Sequence, residues 1–287
     1  MPMPNPINPQ TPQGPVQETM QEPVYDSNHD AGLESEEAPS FRSEVRGVRV
    51  HLESAFADLD SALRHFVRKD LAAAEPFPLA VVILSAGLPV QDLPEVRQRR
   101  IFLAAALEML RIALSIHDDL VISAAPGRAE KSLVGATILV GDYCFSHSAS
   151  LAARTDSPFV VEVFSNALKV VSEGRLRALF DGEGGDAQIK QPYGDQEELC
   201  RAGAQAATHL ADLSAQQSQA LMDVAALVGR TLDQGESPVG LYGRIDERRV
   251  PVHQQPRWRQ ALAYLAAGAA EPSSGAGFAA SIGGSAL

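Results

Sequence analysis

The chain has 287 residues, 45% of them hydrophobic, and a formal net charge of -12, which is enough apolar material for one substantial core or two small ones. Residues 1–40 contain Glu18, Glu22, Asp26, Asp30, Glu34, Glu36 and Glu37 and no Lys or Arg, so that arm alone contributes -7 to the net charge of -12. The rest of the chain lacks the positive excess that phosphate binding needs, which argues against a general nucleic-acid surface. No apolar run approaches the roughly 20 residues that span a bilayer, and the opening MPMPNPINPQTPQG has neither the basic start nor the apolar stretch of a secretory signal. The expectation is a soluble, cytoplasmic protein that is not transmembrane. Cys144 and Cys200 are too few for a disulfide framework and are not spaced as zinc ligands, which suits the same reducing compartment.

In chain order, residues 1–40 form a Pro- and acid-rich arm that cannot bury enough surface to offset its ordering entropy, and disorder is expected there. Residues 41–270 read as one helical domain, and 271–287, EPSSGAGFAASIGGSAL, as a flexible tail. The spacing predicts helices over 43–70, 77–87, 94–122, 132–153, 157–180, 195–211, 214–233 and 255–269. Strand signals are nearly absent. The runs LAVVILSAG and LVGATILVG are ambiguous by periodicity, yet their all-apolar character suits a helix buried on every side of a large bundle. The fold class is therefore all-α.

Arg97-Gln98-Arg99-Arg100 opens an apolar helix where positive charge opposes the helix dipole, so it reads as a solvated charge run or as a contact for an external partner. Asp142 after Gly141 reads as the N-cap of a following helix, and His117 as a packed or capping histidine. Glu173 and Arg175 read as a solvated or paired helix surface. The acidic run from Asp181 to Asp186 lacks the ligand order of an EF-hand and reads as a flexible turn. Near the end, GLYGRIDERRVPVHQQPRWRQALAYLAAG mixes Trp258, Tyr264 and several arginines, which suits an interface or core packing about equally.

The most informative stretch is SIHDDLVISAAPGR, 115–128. Leu103, Leu107, Leu110, Leu114 and Val121 recur at helical spacing and mark a core face, and Asp118 follows Leu114 by one turn on that same face. A carboxylate pointing into a helical bundle is costly unless it is paired, hydrogen-bonded or bound to metal. Asp118 and Asp119 are thus either metal ligands or helix-terminal acids that are hydrogen-bonded or solvated.

The string LEMLRIALSIHDDLV at 107–121, followed by GDYCFSHSASLAA at 141–153 and SEGRLRAL at 172–179, resembles the trans-polyprenyl diphosphate synthase family in order and spacing across about residues 70–180. The resemblance implies an isoprenoid-synthase-like helical bundle around a central apolar cavity. It implies Mg²⁺-assisted ionisation of an allylic diphosphate and its condensation with isopentenyl diphosphate, the metal neutralising charge on the leaving group. Carried over to this chain, Asp118 and Asp119 match the metal motif, and Arg128 and Arg111 are the candidates for contact with a substrate diphosphate.

The departures are as specific as the matches. The acid that the family's first motif needs one turn after Asp118 is Ile122, and the longer spacing lands on Ala124. Counting back, the family's cationic Gly-Gly-Lys-Arg-x-Arg-Pro segment falls on Ala72-Ala73-Ala74-Glu75-Pro76-Phe77-Pro78, where three cations are replaced and Glu75 repels phosphate. A second aspartate-rich motif and the Lys-Thr pair of the middle helices are not visible after Glu197. This pattern implies a divergent member with a weakened Mg²⁺ site that works as a regulatory or structural subunit of a homologous catalytic synthase. The alternatives are a divergent Mg²⁺-dependent synthase active alone, with a self-dimer and an isoprenoid diphosphate ligand, and a helical protein that binds isoprenoid or other lipid without chemistry.

Overall fold

In the computed structural model, residues 40–57, 74–122, 128–181 and 194–270 are described, with isolated positions between 59 and 72. The arm, the tail and most of the acidic run 181–186 lie outside the described residues. The helices are α1 (Phe41–Ala57), α2 (Pro78–Ala86), α3 (Pro94–Ile122), α4 (Arg128–Ala153), α5 (Pro158–Asp181), α6 (Asp195–Leu210), α7 (Ala215–Asp233) and α8 (Gln255–Ala270), with short 3-10 turns between α7 and α8. No strand occurs among the described residues. All of these elements fall in one compact unit, Ala38–Leu287.

The run LAVVILSA is helical, and every residue of α2 is buried. A helix with no polar face needs neighbours all round, and α1, α3, α6, α7 and α8 supply them. Its ends are made by other parts of the chain. Phe77, which precedes it, is left-handed (φ 55°) and has no side chain able to cap. Pro78 has no N–H to satisfy. The Ala80 N–H instead donates to the buried Glu108 Oε1 of α3 at 3.0 Å. At the other end the Gly87 N–H closes on the Ile83 carbonyl at 2.9 Å. A Cβ on Gly87 would lie 2.9 Å from both Ala207 Cβ and Arg100 Cδ.

The pattern of the other helices explains their placement. α1 buries Phe41, Glu44, Val45, Val48, Leu52, Ala55 and Phe56, an i, i+3, i+4 stripe with a carboxylate in it. α4 starts at Arg128, earlier than the spacing predicts, and α1 ends at Ala57; of the rest of the predicted 43–70 span, Arg64 and Val67 are helical, Leu59 is a bend, and the other positions lie outside the described residues. The turn between α6 and α7 carries a capping box, in which Ser214 Oγ accepts from the Gln217 N–H while Gln217 Oε1 accepts from the Ser214 N–H, satisfying two otherwise unpaired donors.

The arginine run at the start of α3 divides: Gln98 and Arg99 are exposed, as a solvated run would be, while Arg100 turns inward. Arg100 is fully buried. Its guanidinium donates to Glu44 Oε2 (3.0 and 3.2 Å), to Asp92 Oδ1 and Oδ2 (3.0 and 3.2 Å) and to the Gly87 carbonyl (3.0 Å). Arg97 binds Asp92 at 2.8 Å, and Arg99 pairs with Asp156. Burial works to raise the Asp92 pKa, but the hydrogen bonds and charges of Arg100 and Arg97 outweigh it and leave the carboxyl below its ordinary value. Arg257 of α8 reaches the other oxygen of Glu44 at 2.5 Å and lies over the Phe41 ring. Sequence periodicity missed this because a buried guanidinium looks like a surface one until its partners, 56 and 8 residues away, are known.

Truncating the charge should expose the network's importance. Arg100→Met leaves Glu44 and Asp92 without their shared cation and is expected to cost about 3–5 kcal/mol, read as a lowered midpoint in urea. Gly229→Ala is also expected to destabilise, by about 1–3 kcal/mol, because a Cβ there would sit 2.3 Å from the Gln196 carbonyl oxygen; thermal melting compares the two variants with the parent chain.

Candidate functional site

Three helices converge on one guanidinium. On α5 the buried residues Ala167 and Val171 recur every four positions, and Arg175 is the next in that series, on the same face. Its Nη1 donates to Asp118 Oδ1 of α3 at 2.6 Å and to the Leu114 carbonyl at 3.2 Å. Its Nε donates to Asp195 Oδ2 of α6 at 2.6 Å. These are charge-assisted bonds, about twice as strong as neutral ones. The Asp118 side chain is 49% exposed, that of Arg175 22% and that of Asp195 10%, so the cluster runs from solvent inward.

Asp195 is the first residue of α6, where a carboxylate meets the positive end of the helix. Burial nevertheless holds its pKa above the ordinary carboxyl value; Arg175 opposes this, and the charges of Asp118 and Asp233 add to it. Asp233, the last residue of α7, accepts the Gln196 N–H at 3.1 Å and the Glu197 N–H at 3.0 Å, capping α6 from outside. Burial raises its pKa as well, against the effect of those two bonds. α7 comes this close because Gly229 has no side chain to meet the backbone of Gln196 and Glu197.

Of the four candidates named from sequence, only Asp118 and Arg111 have described side chains, and these two lie apart. Asp118 sits in the Arg175 cluster. Asp119 lies on α3 and Arg128 opens α4, but their side chains fall outside the described residues. Arg111 lies two turns before Asp118, about 10 Å along the helix. Its Nε donates to Glu108 Oε2 at 2.8 Å and its Nη2 to the Ala74 carbonyl at 3.1 Å, so it braces the turn into α2. In that turn Glu75 pairs with Arg49 at 2.5 Å. Beside it a cavity of about 360 Å³ is lined by Pro76, Pro78, Leu232 and Leu265 with Gly235, Glu236 and Ser237.

Asp142 is not an N-cap, because α4 begins at Arg128 and carries Gly141-Asp142 in its interior. Gly141 has a packing role instead: a Cβ there would meet His117 Nε2 at 2.4 Å. The His117 ring stacks on Phe145, centroids 5.2 Å apart, and its Nε2 lies 3.6 Å from Asp142 Oδ1. Glu173, by contrast, is the exposed, paired surface residue expected, near Lys169 and Arg177. Among the described residues no three His, Cys, Asp or Glu side chains gather into a group that would hold a metal ion.

No family model matches the chain. Octaprenyl diphosphate synthase of Escherichia coli (strain K12) is 26% identical over 136 residues, which is 44% of this chain and 42% of that protein, so the match spans less than half the length of the curated relative. A polyprenyl synthase from Caulobacter crescentus CB15, solved with calcium and isoprenyl diphosphate, superposes with TM-score 0.52 at 22% identity, covering 79% of this chain and 84% of that one. Heptaprenyl diphosphate synthase from Staphylococcus aureus gives 0.55 at 16%, with coverage of 79% and 84%. The chain has the isoprenoid synthase fold. Its sequence resemblance to the polyprenyl synthases holds as well. Within this isoprenoid synthase bundle, Arg175 and Asp195 are the residues that sequence reading passed over. The signal for Arg175 was present: a charge at the next helical position of a buried stripe. Asp195 carried no comparable mark, since acids are common in a first helical turn.

The raised pKa of Asp195 has a measurable sign. Between the ordinary carboxyl value of 3.8 and the raised folded value, the native state binds more protons than the unfolded chain, so this group's contribution to stability falls as pH rises. Asp195→Asn should remove that part of the slope, measured as unfolding free energy in urea from about pH 4 to about pH 7.

Proposed function

We propose that this chain is a prenyl-diphosphate-synthase-like protein of isoprenoid biosynthesis that acts as a structural or regulatory subunit beside a catalytic homologue. The observation that carries the reading is the state of the segment where the resemblance expects diphosphate-binding cations. Ala74, Glu75 and Phe77 stand in their places, and Phe77 is buried under α2. Arg111, the nearby cation, is committed to Glu108 and the Ala74 carbonyl. A diphosphate becomes a leaving group only when its developing charge is neutralised, and these residues are arranged to hold α2 in place.

A partner is supported by the surface of the same helices. Ile138 and Leu139 on α4 and Val161, Val170 and Leu176 on α5 are exposed large apolar side chains, and such residues on neighbouring helices suit burial against a second bundle. The second chain is either a catalytic homologue or another copy, and the apolar framework serves it without chemistry of its own.

The test is an elongation assay with radiolabelled isopentenyl diphosphate, an allylic diphosphate and Mg²⁺. The chain alone is expected to give no product above the enzyme-free blank. Co-expressed with a synthase that carries both aspartate motifs, it is expected to co-purify and to change the length of the product. Elongation by the chain alone, abolished by Asp118→Ala, would overturn the reading. Isoprenoid lipid extracted from purified protein that has neither partner nor activity would replace it with simple lipid binding.

A further inference from the structure

We infer that Arg175 is a built-in cation that takes the place a divalent metal ion would occupy against Asp118, so that the end of α3 is closed to Mg²⁺ by the protein itself. The inference rests on the reading above only in identifying Asp118 with the metal aspartate; it concerns a residue that the resemblance does not assign.

The described residues around Asp118 do not fit a Mg²⁺ site. The ion demands near-ideal octahedral geometry at 2.0–2.1 Å and is held in such sites by one or two carboxylates. Asp118 Oδ1 already receives Arg175 Nη1 at 2.6 Å, and the position one turn on, where a second carboxylate would share the ion, is Ile122. A metal approaching that oxygen must displace the guanidinium or face its charge at close range, where repulsion is strong.

Displacement is opposed from two other sides. Arg175 also donates to Asp195 Oδ2 at 2.6 Å and to the Leu114 carbonyl at 3.2 Å. Asp195 is buried, so swinging the guanidinium away strands a desolvated carboxylate beside Asp118 and Asp233. A guanidinium also differs from a metal in permanence. It is part of the chain and cannot be chelated away. The tie among α3, α5 and α6 is therefore always made, whereas a metal-dependent tie would come and go with the ion.

The full chain is tested with Mn²⁺, whose electron paramagnetic resonance signal reports the free ion. The parent protein is expected to show no saturable Mn²⁺ site that depends on Asp118, and its melting temperature is expected to be the same in Mg²⁺ and in EDTA. Arg175→Gln keeps a hydrogen-bonding amide and removes the charge; it is expected to bind Mn²⁺ at least about tenfold more tightly, and Arg175→Gln with Asp118→Asn to lose that gain. Arg175→Lys, which restores the charge, is expected to behave as the parent. The inference falls if the parent chain binds Mn²⁺ and Asp118→Asn abolishes it, or if Arg175→Gln, folded by circular dichroism, gains no Asp118-dependent site. If Arg175→Gln does not fold, the parent and Asp118→Asn measurements still decide, because Asp118-dependent Mn²⁺ binding or a Mg²⁺-dependent melting temperature in the parent is enough to sink it. Failure here leaves the elongation assay untouched, since a chain can hold a metal and still make no product.

Discussion

A nine-residue helix with no solvent-facing side is the constraint on which this bundle rests. α2 cannot be stable alone: it is short for an isolated helix and buries all of its residues. Everything around it is arranged to accept it. Gly203 of α6 lets Ile83 and Leu107 come close, since a Cβ there would lie 2.8 and 2.9 Å from them. Glu108 gives up a buried carboxylate oxygen to cap it, and Arg111 holds that carboxylate in place. Arg111, which the resemblance offers for contact with a diphosphate, is thus part of a joint between α3 and the turn into α2.

Two arginine clusters, the first buried and the second running inward from solvent, divide the remaining work. The first sets Arg97, Arg100 and Arg257 against Glu44 and Asp92, three positive charges to two negative ones, and joins α1, α3, α8 and the loop after α2. The second sets a single guanidinium, Arg175, between Asp118 and Asp195. Burial holds Asp195 above its ordinary pKa against the pull of Arg175, and the charges of Asp118 and Asp233 add to the rise. The first cluster is a closed structural unit. The second sets its two acids against a cation that the chain itself supplies.

Much of the architecture was legible in the chain. The all-α class, the 94–122 span of α3 and the starts of α6 and α8 follow from apolar periodicity, and the helical reading of LAVVILSAG follows from its lack of any polar face. The error at α4 has a specific cause: Gly141-Asp142 looks like a helix start by residue type, whereas the glycine is there to clear His117. Arg100 and Arg175 were read as surface charges because sequence reports a side chain's charge and not its partners, and for Arg175 those lie 57 and 20 residues away. Asp118 was singled out correctly as a carboxylate needing a partner; periodicity along one helix has no means of saying that the partner is an arginine from another.

The external cap on α6 has a consequence for how this part of the molecule moves. The first turn of α6 has its amides held by a carboxylate at the far end of α7, with only the short Ser214 turn between the two helices. Fraying of either end therefore releases the other, and the pair opens as one hairpin with a shared hydrogen-exchange lifetime instead of two independent helices unwinding from their tips.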